Sequence, residues 1–141
     1  MAKPNLELYQ GETVLQEGPV NMRLGTWSGQ RSGTAYITNQ RVLAYTYSNT
    51  VYYLFGLIGS LLIRMLSKPD LSLDLPFDEI KSVARGRILM NKNVLDLETN
   101  QGEKYHLLLK WDQFFPVLQN ALTSAKFQLV SSGDNAWTVS K

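Results

Sequence analysis

The chain has 141 residues, of which 44% are hydrophobic and 18% charged, with a formal net charge of +2 and no cysteine. Those proportions suit one ordinary globular domain and exclude a disordered chain, a disulfide scaffold, a thiolate metal site and a cysteine nucleophile. So small a positive excess gives no reason to expect nucleic acid as a partner, although it is compatible with an anionic membrane surface.

The start, Met1-Ala2-Lys3-Pro4, runs into Glu7, Glu12 and Glu17 with no basic segment and apolar run between them. No secretory signal is read there, and the expected location is the cytoplasm. Thr13–Gln16 and Val20–Leu24 have the character of short strands. The glycine-rich stretch Gly25–Gly33 reads as a loop. Thr34–Thr38 alternates, Asn39-Gln40 signals a turn, and Arg41–Tyr47 returns as a second strand, so the pair predicts a tight hairpin. Leu71–Leu75 alternates strictly until Pro76. Ile80–Met90 predicts a long or bent strand with a bulge at Gly86. Val94–Thr99 and Lys104–Leu109 follow, separated by Asn100-Gln101-Gly102, with Leu95, Leu97, Tyr105, Leu107 and Leu109 expected to face inward. The period then changes. Trp111, Phe114, Phe115, Leu118, Leu122 and Ala125 fall on one helical stripe, with Asp112 as the expected N-cap and Pro116 near the start. Phe127–Ser140 predicts a closing hairpin about Ser132–Asn135.

Between Arg41–Tyr47 and Leu71–Leu75 lies the most apolar stretch, Val51–Leu66. Its 13-residue core to Ile63 is shorter than the roughly 20 apolar residues a membrane span needs. Placed on a helix, Gly56, Gly59, Ser60, Arg64 and Ser67 share one side. Leu54, Phe55, Leu57, Ile58, Leu61, Leu62, Met65 and Leu66 fill the rest. That is an amphipathic helix with a very wide apolar face, ended by Lys68-Pro69. Such a face needs a lipid surface, a partner chain or the domain's own core.

The remaining chemistry is sparse. His106 is the single histidine, at an outward strand position without a nucleophile motif nearby. Asp70, Asp74, Asp78 and Glu79 lack the spacing of a calcium loop and read as solvated carboxylates. No metal site, cofactor or catalytic set is expected. Gly25–Gly33 lacks the ending of a phosphate loop, but Trp27 beside Arg31 is a pairing suited to a membrane interface. Arg85, Arg87, Lys92 and Lys104 form the densest basic group, a candidate for contacts with anionic headgroups.

Three stretches together carry a family resemblance. They are Gly11-Glu12-Thr13-Val14-Leu15, then Gly33-Thr34-Ala35-Tyr36-Ile37-Thr38-Asn39-Gln40-Arg41-Val42, then Leu73-Asp74-Leu75-Pro76-Phe77-Asp78-Glu79-Ile80. With the alternating hairpin and the helix after them, they resemble the GRAM/pleckstrin-homology-like superfamily over about residues 8–125. The resemblance implies a mainly β sandwich or partly open barrel of antiparallel strands, in two orthogonal sheets, capped by one C-terminal helix. Here that would be one domain, 1–141, with an apolar helical insertion at 51–67 and a hairpin at 127–140. It also implies a binding module rather than an enzyme. The chain departs from the headgroup-gripping members of that superfamily, because its first strand–loop–strand unit offers only Arg23 and Arg31. The resulting expectation is a non-catalytic module attaching peripherally to membrane lipids through the 51–67 segment and the basic and aromatic loops. The alternative is a protein-binding or homo-oligomeric module using the same segment.

Overall fold

The computed structural model describes residues 6–23, 31–47, 70–88 and 90–141. The predicted apolar helix at 51–67 and Trp27 lie outside them. Among the described residues there are nine strands: β1 (Val14–Arg23), β2 (Arg31–Thr38), β3 (Arg41–Thr46), β4 (Asp70–Pro76), β5 (Ile80–Ile88), β6 (Asn91–Thr99), β7 (Lys104–Leu108), β8 (Gln128–Gly133) and β9 (Ala136–Ser140). A helix, α1 (Trp111–Ser124), precedes the last two. The strands form a single antiparallel sheet in the order β4-β3-β2-β1-β7-β6-β5-β9-β8. The sheet is open, with β4 and β8 at its edges. The fold is therefore mainly β with one helix near the C-terminal end, as expected, but the strands are joined in one sheet rather than two.

The alternation predicts the buried face well. Leu95, Leu97 and Leu107 are at most 1% exposed, and they join Val20, Met22, Ile37, Val42, Leu73 and Leu75 in one core. Helix α1 lies over that face and buries Trp111, Phe114, Leu118, Ala121 and Leu122, which are positions at helical spacing. Phe114, Leu118 and Leu122 are fully enclosed.

Three local readings change. Thr13–Gln16 and Val20–Leu24 are not two runs, because β1 passes through Pro19. At Pro19 the strand pairs only with β2, since β7 begins to pair at Asn21. A missing N–H is tolerated where one side of a strand has no neighbour. The long strand ends at Ile88 rather than Met90, and β6 begins at Asn91 rather than Val94, because Ile88 already pairs with Asn91. The helix starts one residue before Asp112, so Lys110 occupies the N-cap position with no side-chain cap, and Asp112 sits in the first turn. There its charge still suits the helix dipole. The register slips between Gly86 and Ile88, next to the predicted bulge.

Helix α1 ends in a Schellman arrangement. The Phe127 N–H donates to the Leu122 carbonyl at 2.8 Å and the Lys126 N–H to the Thr123 carbonyl at 3.0 Å. This geometry places Lys126 in the left-handed region at φ 71°, where a side chain is strained and glycine is not. Lys126→Gly is expected to raise stability by about 0.5–1 kcal/mol, the strain relief being partly offset by glycine's freedom in the unfolded chain. Urea titration measures it, and a loss of stability would contradict the strain argument.

Candidate functional site

The three motif stretches converge on one buried ion cluster. Arg41 leads off β3 and carries its guanidinium to the face away from the core. Its Nε donates to Glu12 Oε2 at 2.8 Å, Nη2 to Glu12 Oε1 at 3.0 Å and to the Glu7 carbonyl at 2.7 Å, and Nη1 to Asp74 Oδ2 at 3.0 Å. The Thr38 hydroxyl donates to Glu12 at 2.6 Å and accepts from the Gln40 and Arg41 N–H groups, closing the β2–β3 turn. Asn39 ties the same turn to Thr13 and Gly11. The Tyr9 ring lies 4.0 Å from the guanidinium.

The side chains of Arg41 and Glu12 are 5% and 0% exposed. Burial pushes the Glu12 carboxyl up. The bonds from Arg41, Thr38 and the Tyr9 N–H, with the guanidinium charge, outweigh it and hold the carboxyl below its ordinary range. The Arg41 guanidinium is raised chiefly by its bond to Glu12, against burial. Arg41 and Glu12 are spent on their neighbours, so the cluster fastens the N-terminal segment to β2–β3. Asp74, read as solvated, is still 34% exposed at its side chain but is paired with Arg41.

The basic candidates separate into two groups. Arg31 pairs with Met22, Arg23 with His106, and Gly33 with Thr46. Lys104 stands two residues before His106 on β7. Thus Arg23, Arg31 and Lys104 lie at one end of the sheet, on neighbouring strands. The connection 24–30 leaves from Arg23 and rejoins at Arg31. The connection 47–69 leaves from Thr46 and rejoins at Asp70, its cross-strand partner. Both connections therefore issue from that same end. Glu98 stands opposite Lys104 and Asp70 opposite Thr46, so acidic residues share this side.

Arg85, Arg87 and Lys92 lie at the opposite end of β6, around the β5–β6 turn. Arg85 is already engaged, its Nε donating to the Lys92 carbonyl at 2.9 Å and its guanidinium standing 5.3 Å from the Trp111 ring. Arg87 reaches Met90 Sδ at 3.5 Å, and Met90 is 83% exposed. Leu54, Phe55, Leu57, Ile58, Leu61, Leu62, Arg64, Met65 and Leu66 fall outside the described residues, as does Trp27.

Two further groupings escape sequence reading. His106 Nδ1 lies 2.6 Å from Asp96 Oδ1, on the face away from the core, with Arg23 across the strand. No hydroxyl or thiol is bonded to that imidazole among the described residues, and His106 and Asp96 form a hydrogen-bonded pair on a strand face. Trp111, Phe115 and Trp137 stack at 4.4–6.2 Å between α1 and β9, and Arg85 closes this stack from above. Spacing could suggest Trp111 with Phe115, but Trp137 arrives through the β9–β5 pairing of Trp137 with Val83. An open hollow of about 430 Å³ lies between Asn39, Phe77, Ala125 and Phe127. Among the described residues no group of three or more histidines or carboxylates could hold a metal. No described helix is long and apolar enough to cross a membrane.

No known family model matches the chain, and no curated protein matches its sequence. Solved structures do match its shape. The Vps36 N-terminal PH domain aligns at a TM-score of 0.58 and 14% identity, over 85% of this chain and 86% of that one. The C-terminal domain of an unknown protein from Leishmania infantum aligns at 0.54 and 18% identity, over 81% and 87%. The fold is thus pleckstrin-homology-like.

Proposed function

We propose that the chain is a non-catalytic binding module of the GRAM type that attaches peripherally to an anionic membrane. The observation supporting it is the convergence at one end of the sheet. Two connections leave there side by side, one holding Trp27 and the other the apolar stretch 51–67, with Arg23, Arg31 and Lys104 beside them. A hairpin ordinarily needs about two to five residues, so residues 47–69 are far more than strand reversal requires. Cations draw such a surface to anionic lipid, and apolar side chains hold it there. In this orientation Arg85, Arg87 and Lys92 face away from the membrane.

Co-sedimentation with phosphatidylserine vesicles tests the reading. Removing both cations in Arg31→Ala/Lys104→Ala should weaken binding about 25-fold at low salt, at roughly 1 kcal/mol per charge. Arg87→Ala/Lys92→Ala should change it less than about twofold, since those charges lie beyond a Debye length from the surface. Replacing Leu57, Ile58, Leu61 and Leu62 together by Ser should abolish binding while the sheet still folds. Loss of an oligomer in that variant, with no vesicle binding before or after, would favour the protein-partner reading instead. A collapse of its melting temperature would assign the segment to the domain's own core.

A further inference from the structure

His106 is the chain's one histidine, and the sheet holds it in a defined setting. Its strand neighbour Leu107 is buried in the core, so the imidazole stands on the opposite face. It lies beside the end from which the connections 24–30 and 47–69 leave, because its partner on β1 is Arg23, the last residue of that strand. Asp96 lies directly across from it on β6. The Asp96 carboxylate is seated against Gly86 of β5, where any side chain would collide with it. Ionised, that carboxylate can only accept, so in the 2.6 Å contact the imidazole donates from Nδ1. Nε2 is then the acceptor nitrogen of the neutral ring, and it becomes a second donor when the ring is protonated. The side chains of His106 and Asp96 are 37% and 32% exposed, so the pair is open to solvent.

The charges around this pair are closely matched. Arg23 faces His106 from β1, Lys104 stands on the same face two residues earlier on β7, and Arg31 lies on the neighbouring β2. Asp96 and Glu98 answer from β6, Glu103 precedes Lys104, and Asp70 opens β4. From β5 come Ala84 opposite Asp96 and Ser82 opposite Glu98, neither of them charged. Among the described residues the fixed cations of this end are therefore not in excess over its carboxylates, and one added charge weighs heavily. Histidine is the side chain that ordinarily changes charge between about pH 5 and pH 8. With one histidine and no cysteine in the sequence, no other side chain type ordinarily does so here. Resting on the membrane reading above, we propose that His106 is a proton-gated contact for anionic lipid: protonation adds a positive charge and an Nε2–H donor beside Arg23, and attachment strengthens in acid.

Co-sedimentation of the full chain with phosphatidylglycerol vesicles, at about pH 7.5 and about pH 5.5, tests it. The phosphodiester of that lipid stays ionised throughout, so only the protein changes charge. The native chain should bind about fivefold more tightly at the lower pH, the weight of one charge near such a surface. The gain should fade in about 1 M salt. His106→Gln should bind equally at the two pH values. His106→Arg should bind at both about as the native chain binds at the lower one. Circular dichroism should not change between the two, since Glu12 keeps its contribution to the fold above about pH 4.5. Equal binding of the native chain at both pH values, a rise that persists in His106→Gln, or a spectrum that changes with the rise would each overturn the proposal and leave the membrane reading in place. No binding at either pH would overturn both.

Discussion

Arg41→Ala should destabilise the fold by about 3–5 kcal/mol, because it leaves the fully enclosed Glu12 carboxylate without its cation. For a chain of this length that is a fall of roughly 10 °C or more in Tm. Arg41→Lys should recover only part of the loss. One ammonium cannot reach Glu12, Asp74 and the Glu7 carbonyl together, as the planar guanidinium does. The pH dependence gives a sharper check. In the native chain the Glu12 carboxyl is held below its ordinary 4.5. Its contribution is therefore complete above about pH 4.5 and is lost as the pH falls further through the folded value. In Arg41→Ala only the Thr38 hydroxyl and the Tyr9 N–H still oppose the burial that raises Glu12, so ionisation of Glu12 contributes less stability than in the native chain. The gap between variant and native chain should shrink as the pH falls below that point. A gap that stays constant from pH 7 to pH 3 would show that the guanidinium acts by packing alone.

This cluster also shows where sequence reading stops. The strands β4, β6 and β7 and the helix were legible because each writes its period over enough residues: Leu71–Leu75 at two, Trp111–Ala125 at 3.6. Burial followed from the same pattern. The motif around Tyr36, Thr38, Asn39 and Arg41 was legible as a resemblance, but its physical purpose was not. Arg41 meets Glu12 and Asp74 across 29 and 33 residues of chain, and no local pattern announces an arginine taken out of water. Composition says the opposite, since arginine is ordinarily exposed. The same distance hid the grouping of the cations. Arg85, Arg87, Lys92 and Lys104 looked like one basic set, yet Lys104 opens β7 at the far end of β6 from the others. Only strand register could separate them. Pro19 is a third case: a proline argues against a strand interior until the neighbour on its free side is seen to begin later.

Gly33→Ala should be the other severe substitution, costing about 3 kcal/mol or more. No unusual backbone angle is involved; the reason is the close approach of two strands. A methyl group on Gly33 would stand 1.9 Å from the Tyr45 carbonyl oxygen and 2.7 Å from the Thr46 Cα. Both are backbone atoms, so no side chain can turn aside, and β2 and β3 must part. Their separation would disturb the Ala35–Ala44 and Ile37–Val42 pairs below and the core residues they carry. It would also shift Thr46, from which the 47–69 connection departs. Vesicle binding should therefore fall together with stability in this variant, whereas Arg31→Ala/Lys104→Ala should lose binding alone. Gly133→Ala serves as the control. Its added methyl group meets nothing within 4 Å, and its effect should stay within about 0.5 kcal/mol. Chemical denaturation of the three proteins side by side decides it: equal midpoints for Gly33→Ala and Gly133→Ala would mean that β2 and β3 are not held as closely as the register requires.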